Sequence, residues 1–345
     1  VIKNTLSYLT IFSLVFSSVM INTAYAADGD VLLIDGATAT QTTAIVGGAG
    51  GRNLSSNGGD SQLDIQVNGA AILDIGNTTN LTIDTIVSTN AGDDAANTLD
   101  LQLNTITLIV EEAIADNAND PLSVTITDNN SVLRIVASTG AAANSLKFIP
   151  TTGTTLELAA GTYSANIDGA GTLKILGAVV NDENIGNATT IGTLNMNSQT
   201  LNNGAGLIKV GTLTLSGNIL GGASLEVTGN TAMAANVTTA GTQTYTGAVS
   251  QTEAATLTTT NSNIIFGNTV IGDASDDGLT IAAGNGIVQF VGTVGAGGGA
   301  NDVGAIAITG GLNLDAAITS AASLTVSTTS DIGASVTTSG IQTYT

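Results

Sequence analysis

The chain contains no histidine, no cysteine and no tryptophan, and only 6 of its 345 residues are lysine or arginine. Each absence removes a class of function. Without histidine there is no Ser-His-Asp triad and no histidine-based metal site. Without cysteine no disulfide holds the fold, so stability has to come from stacking and hydrogen bonding. Beyond residue 26 the basic residues are Arg52, Arg134, Lys147, Lys174 and Lys209, and they are scattered. Phosphate backbones need clustered cations, and the formal charge here is −21, so nucleic acid is excluded as a partner. Such acidity suits a surface that repels its neighbours or gathers divalent cations. Only two prolines occur, Pro121 and Pro150, so long strand ladders are rarely interrupted.

What is present points to β-structure. Apolar residues make up 43%, but aromatics only 3%, so the bulk is valine, isoleucine, leucine and alanine, diluted by threonine, asparagine and 43 glycines. β-Branched residues pack well on pleated surfaces, and the glycines and asparagines mark turns. The first 26 residues, VIKNTLSYLTIFSLVFSSVMINTAYA, have a different character. Lys3 opens them, Leu9 to Ile21 forms an apolar core, and Ala24-Tyr25-Ala26 supplies a small-x-small cleavage site. This reads as a signal peptide cut before Ala27, since the core is shorter than the roughly 20 apolar residues of a membrane span. Val1 fits a non-AUG bacterial start.

The tail SVTTSGIQTYT (Ser335–Thr345) repeats NVTTAGTQTYT (Asn236–Thr246) at an offset of 99 residues. The match extends without a gap over residues 210–246 and 309–345, with 17 of 37 positions identical, which makes it a duplication rather than a chance likeness. A weaker copy relates Gly171–Met196 to Gly286–Leu314. Within the copies, short alternating strands recur, such as LKI (173–175), LTL (213–215), LEV (225–227), VQF (288–290) and LTV (324–326). Every second side chain is apolar and the others are mostly Thr, Asn, Lys, Glu or Gln. Asp168-Gly169, Asn203-Gly204 and Asp277-Gly278 signal turns. The best helical candidate, Leu108–Ala115, is short.

One such strand cannot bury its face alone, but stacked coils cover one another. The expected fold is therefore all-β, a right-handed parallel β-helix (β-solenoid) of imperfect repeats, with about 20–25 residues per coil. The alternative is a string of β-sandwich domains, for which a period near 99 is also suitable. Three segments follow: the signal peptide (1–26), a less regular β-rich stretch that caps the solenoid (27–165), and the repeats (166–345). In the middle stretch strands are expected near Leu63–Val67, Leu81–Ile86, Leu101–Ile109, Leu122–Ile126 and Val132–Val136. Threonines and asparagines on the polar faces are of a kind that forms ladders along a stack.

Catalytic groups are scarce. A β-helix enzyme acting on polysaccharide needs clustered carboxylates with a basic residue, and Lys174 with Lys209 is the faint candidate. The acidic pairs Asp93-Asp94, Glu111-Glu112, Asp182-Glu183 and Asp276-Asp277 read as solvated loop residues. The expectation is no enzyme. Calcium is the best ligand guess: GDASDDG (Gly272–Gly278) gathers Asp273, Asp276 and Asp277 between glycines, although without EF-hand spacing. GAGGGAND (Gly295–Asp302) misses the calcium β-roll pattern and, lacking Lys-Ser/Thr and a helix, is a loop rather than a phosphate cradle.

A bacterial leader before Gly/Thr/Asn-rich β-repeats resembles the passenger of Gram-negative autotransporters. The phrasing over Gly171–Met196 and Gly286–Leu314 resembles repeats of rickettsial outer-membrane proteins A and B, the surface cell antigens, and of related surface-layer proteins. The resemblance covers mainly residues 165–345. It implies a β-helical passenger on the outer membrane or outside the cell, a C-terminal β-barrel translocator beyond this chain, and roles in adhesion, host-cell entry or coat formation. Partners would be host-cell or neighbouring surface proteins and glycans, with self-association possible. The repeat stopping at Thr345 implies a fragment of a longer protein. A self-assembling surface-layer subunit is the alternative.

Overall fold

Short strands bury every second residue. In Leu225–Val227 the two ends point inward and Glu226 faces out. Thr231–Met233, Val237–Thr239, Gln243–Tyr245 and Val249–Gln251 repeat the pattern six residues apart. Leu213, Ile219, Leu225, Thr231, Val237, Gln243 and Val249 are thus successive inward residues, all buried. Three such steps make one coil, and the chain then lies on itself: Leu225 pairs in parallel with Gln243, and Gln243 with Ile264. The structure, a computed structural model, describes residues 31–35, 40–42, 64–68, 70–74, 80–88, 97–115, 121–139, 146–273, 277–295 and 303–345. The signal peptide expected at residues 1–26 lies outside them, as do Arg52 and Asp93-Asp94.

All described elements are strands, and their pairings are parallel, so the chain is a β-solenoid. Tandem sandwiches are excluded, because their strands pair antiparallel. Over the repeats the solenoid has three sides, called faces A, B and C here. Face A stacks Leu156, Leu173, Leu194, Leu213 and Thr231. Face B stacks Ile185, Ile208, Leu225, Gln243 and Ile264. Face C stacks Val179, Leu201, Ile219, Val237 and Leu257. Parallel pairing is continuous across residue 165, since Leu146–Pro150 pairs with both Leu122–Ile126 and Ala165–Ile167. The step between stacked residues ranges from 17 (Ile208 to Leu225) to 33 (Val31 to Asp64), a wider spread than the sequence suggests. Coils lengthen because residues can be added at a corner without disturbing the strands on either side.

The 99-residue duplication does not stack on its own image. Leu213 lies on face A, but its counterpart Leu312 lies on face B, between Val288 and Ser330. Ile219 is on face C and Ile318 on face A, while Leu225 is on face B and Leu324 on face C. The second copy is turned by one face, so the structural unit is the six-residue side and not the whole coil.

Leu108–Ala115, too short to be expected as a helix, lies in the strand Thr107–Ala115, where Leu81–Ser88 and Val132–Ile135 pair with it from either side. One expectation changes. The strand expected at Leu101–Ile109 is broken into Asn97–Gln102 and Thr107–Ala115. Asn104 and Thr105 between them adopt left-handed φ values of 47° and 70°. Their N–H groups donate to Asp128 Oδ2 (2.8 Å) and Ser131 Oγ (3.1 Å) of the next coil, which compensates the strain.

The interior is mainly leucine, isoleucine and valine, with one aromatic column. Tyr245, Phe266 and Phe290 occupy successive coils with ring centroids 5.3 and 5.0 Å apart, nearly parallel. Several buried polar side chains are hydrogen-bonded within the stack, to one another or to backbone carbonyls. Asn181 Nδ2 donates to Asn203 Oδ1 (3.1 Å), and Asn203 Nδ2 to the carbonyl of Gly206 (2.9 Å). Gln243 Nε2 donates to the carbonyl of Thr258 (2.9 Å), while its Oε1 accepts from Tyr245 OH (3.1 Å). At the corners, side chains extend the main-chain ladder: Asn236 N donates to Asn218 Oδ1, and Thr256 N to Asn236 Oδ1. Burial pushes the Tyr163 phenol up to about 12 despite its hydrogen bond to the carbonyl of Ala159.

Between faces B and A the corner is a pile of glycines, Gly192, Gly211, Gly229 and Gly247. A Cβ on Gly211 would stand 2.6 Å from the carbonyl oxygen of Gly192, and one on Gly229 2.7 Å from that of Gly211. On Gly247 it would fall on the carbonyl of Gly229. The coils can close to strand spacing here only because no side chain intervenes. Gly247→Ala should cost about 1–3 kcal/mol through forced displacement of the neighbouring coil. Gly278→Ala, whose Cβ meets only the Ala305 carbonyl at 3.4 Å, should stay within about 0.5 kcal/mol. Denaturant midpoints of the two variants compare them directly.

Candidate functional site

The outward side chains of each face of the described stack form the candidate site. Pairing in register sets them in rows one strand spacing apart. Face A carries Arg134, Glu157 and Lys174 in three consecutive coils. Glu157 is buried and bonds both cations: Arg134 Nη2 lies 2.6 Å from Oε2, and Lys174 Nζ 3.1 Å from Oε1. On face B Lys209 stands opposite Glu226 at 3.1 Å, and Lys147 reaches Asp168 at 3.0 Å. Asp168 is buried and also accepts from the backbone N–H of Ala188 (2.8 Å), so it anchors the following loop.

Every described lysine and arginine is therefore engaged with a carboxylate. Lys174 and Lys209, the pair singled out for a polysaccharide enzyme, are not brought together: one serves the face A triad and the other pairs with Glu226 on face B. The acidic pairs also differ from plain solvated loops. Glu111 and Glu112 lie within the strand Thr107–Ala115, and Glu183 is buried.

The aspartate loop joins Val270–Ile271 to the strand that starts at Leu279. Asp273 and Asp277 are described, whereas Asp276 lies outside the described residues. Asp277 Oδ2 is buried and has no hydrogen-bond partner. Gln251, fully buried, sits against the same loop. Its Nε2 donates to the carbonyls of Gly278 (2.9 Å), Glu253 (3.1 Å) and Asp277 (3.3 Å), while its Oε1 has no partner. Two buried oxygens without donors are the kind of ligand that a hard cation takes. Among the described residues no group of three or more His, Cys, Asp or Glu is placed to hold a metal. Sequence reasoning missed Gln251. Its signal was a polar residue at an inward position of Val249–Gln251, where alternation calls for an apolar one. The loop 296–302, with most of GAGGGAND, lies outside the described residues.

Face C differs from the other two. Its outward row Thr256, Thr280, Ala307, Thr325 and Thr343 is in register through five coils and has no charge. The protein thus belongs structurally with the parallel β-solenoids. No protein-family model matches this chain, and no curated protein or solved structure matches it either.

The face A triad gives a direct test. Glu157→Gln keeps the shape but leaves Arg134 and Lys174 facing each other across a neutral amide. The loss should be about 1–2 kcal/mol, reduced from the cost of a fully buried pair because both cations are about a third exposed. Arg134→Gln in the same background should recover part of it, as read from the thermal midpoints of the single and double variants.

Proposed function

We propose that this chain is the shaft of an exported bacterial surface protein, a structural and adhesive rod rather than an enzyme. The observation that carries the reading is the stack itself: three sides with side chains repeated at one strand spacing, on which each described lysine and arginine is already held by a carboxylate. Partners of such a surface are neighbouring or host-cell surface proteins and glycans, held by many weak contacts along the rod. The leader at residues 1–26 and the resemblance to autotransporter passengers support export to the outer membrane or beyond it. On this reading a β-barrel translocator belongs to the same system. Protease added to intact bacteria that make the protein should degrade it while sparing a cytoplasmic marker. Protection until the cells are lysed would sink the reading.

Calcium at the aspartate loop belongs to the same proposal. Asp277 Oδ2, Gln251 Oε1 and Asp273 are the oxygen donors it would use, with Asp276 as a further carboxylate. Millimolar calcium should raise the thermal midpoint, and chelator should reverse the rise. Asp277→Asn should abolish the calcium response. A midpoint indifferent to calcium would remove the ion from the account.

A further inference from the structure

We infer that face C is a lateral docking surface for a second copy of this chain. The inference deepens the structural reading above, but its test is made in solution and does not depend on where the chain is displayed.

In the coils from Gly161 onward, the charged residues that lie within strands are Lys174, Lys209, Glu226 and Asp331, and all stand on faces A and B. Face C runs through ten strands, from Gly161–Tyr163 to Gln342–Tyr344, without one charged side chain. One outward row reads Thr162, Val180, Asn202, Leu220, Thr238 and Thr258, each in register with the next. Val180 and Leu220 add exposed apolar surface to this row, at 36% and 41% exposed. Two rods with a formal charge of −21 each repel wherever their acidic surfaces meet. Face C adds no charge of its own to that repulsion, whereas Glu226 and Asp331 stand on face B and Lys174 on face A.

The second copy fits better than an unrelated partner for a geometric reason. Its rows have the same spacing, so a threonine row that meets one gap between rows meets all of them. Small uncharged side chains on regular strands interdigitate in this way at dry sheet-to-sheet contacts. A two-fold arrangement makes the same patch serve both partners. Nine strand spacings of ~4.8 Å and a width of about 10 Å give roughly 900 Å² buried over both copies, at the low end for specific interfaces. Association should therefore be weak, and because acidic loops border the face, it should strengthen as salt screens them.

Sedimentation equilibrium of the purified full chain, from the micromolar to the millimolar range at low and high salt, tests this. The expected result is reversible dimerisation that tightens with salt. Asn202→Glu combined with Thr238→Glu places like charges across the interface and should weaken association at least about tenfold. Ala232→Glu with Thr337→Glu adds the same charge on face A and should leave association unchanged. Circular dichroism and thermal midpoints check that both variants keep the fold. A wild-type chain that stays monomeric throughout, or two double variants that associate alike, would overturn the inference.

Discussion

The parallel main-chain ladder is the constraint on which everything else depends. A three-residue strand has no independent stability, and within the stack strands such as Leu225–Val227 and Gln243–Tyr245 are paired on both sides, by the coil before and the coil after. That arrangement requires every coil to rise by one strand spacing at every point of its perimeter, including the corners. The glycine pile from Gly192 to Gly247 meets the requirement by removing side chains, and Asn218 and Asn236 meet it by supplying a carbonyl oxygen where the backbone turns away. The charged residues obey it too: Arg134, Glu157 and Lys174 are held in a row because their strands are in register.

Parallel stacking also explains how the chain dispenses with a conventional core. No coil is thick enough to bury much by itself, yet the inward residues form one continuous column cluster from Leu73 to Val326. Polar residues are admitted where the column offers partners at strand spacing. Asn181 bonds to Asn203, and Gln243 is held between the Thr258 carbonyl and the hydroxyl of Tyr245. In isolation each would be a costly buried amide; in a stack they join adjacent coils.

The alternation of apolar residues was plain in the sequence, and with it the strands at LKI, LTL, LEV and LTV and the solenoid itself. The turns were less legible. Asn104-Thr105 carries no glycine, and its left-handed backbone is held by Asp128 and Ser131, some 25 residues away in sequence. Asn203-Gly204 did mark a turn, but nothing local revealed that the asparagine side chain points inward. Gln251 looked like one polar residue among many, because its partners Asp277 and Gly278 come close only through stacking. The threonine and asparagine rows were foreseen as a composition; their separation from charge, face by face, depends on the coil length at every step, which a sequence without a fixed period does not declare.

The one-face turn between the two copies of the repeat has an evolutionary consequence. Because Leu213 and Leu312 fill equivalent places on different sides, the three sides are interchangeable hosts for the same six-residue module. A gene of this kind can gain or lose modules singly, by slippage, without first completing a circuit. Each such event rotates everything downstream around the long axis. Rods of different lineages can therefore display the same motifs toward different points of the compass while keeping an unchanged interior.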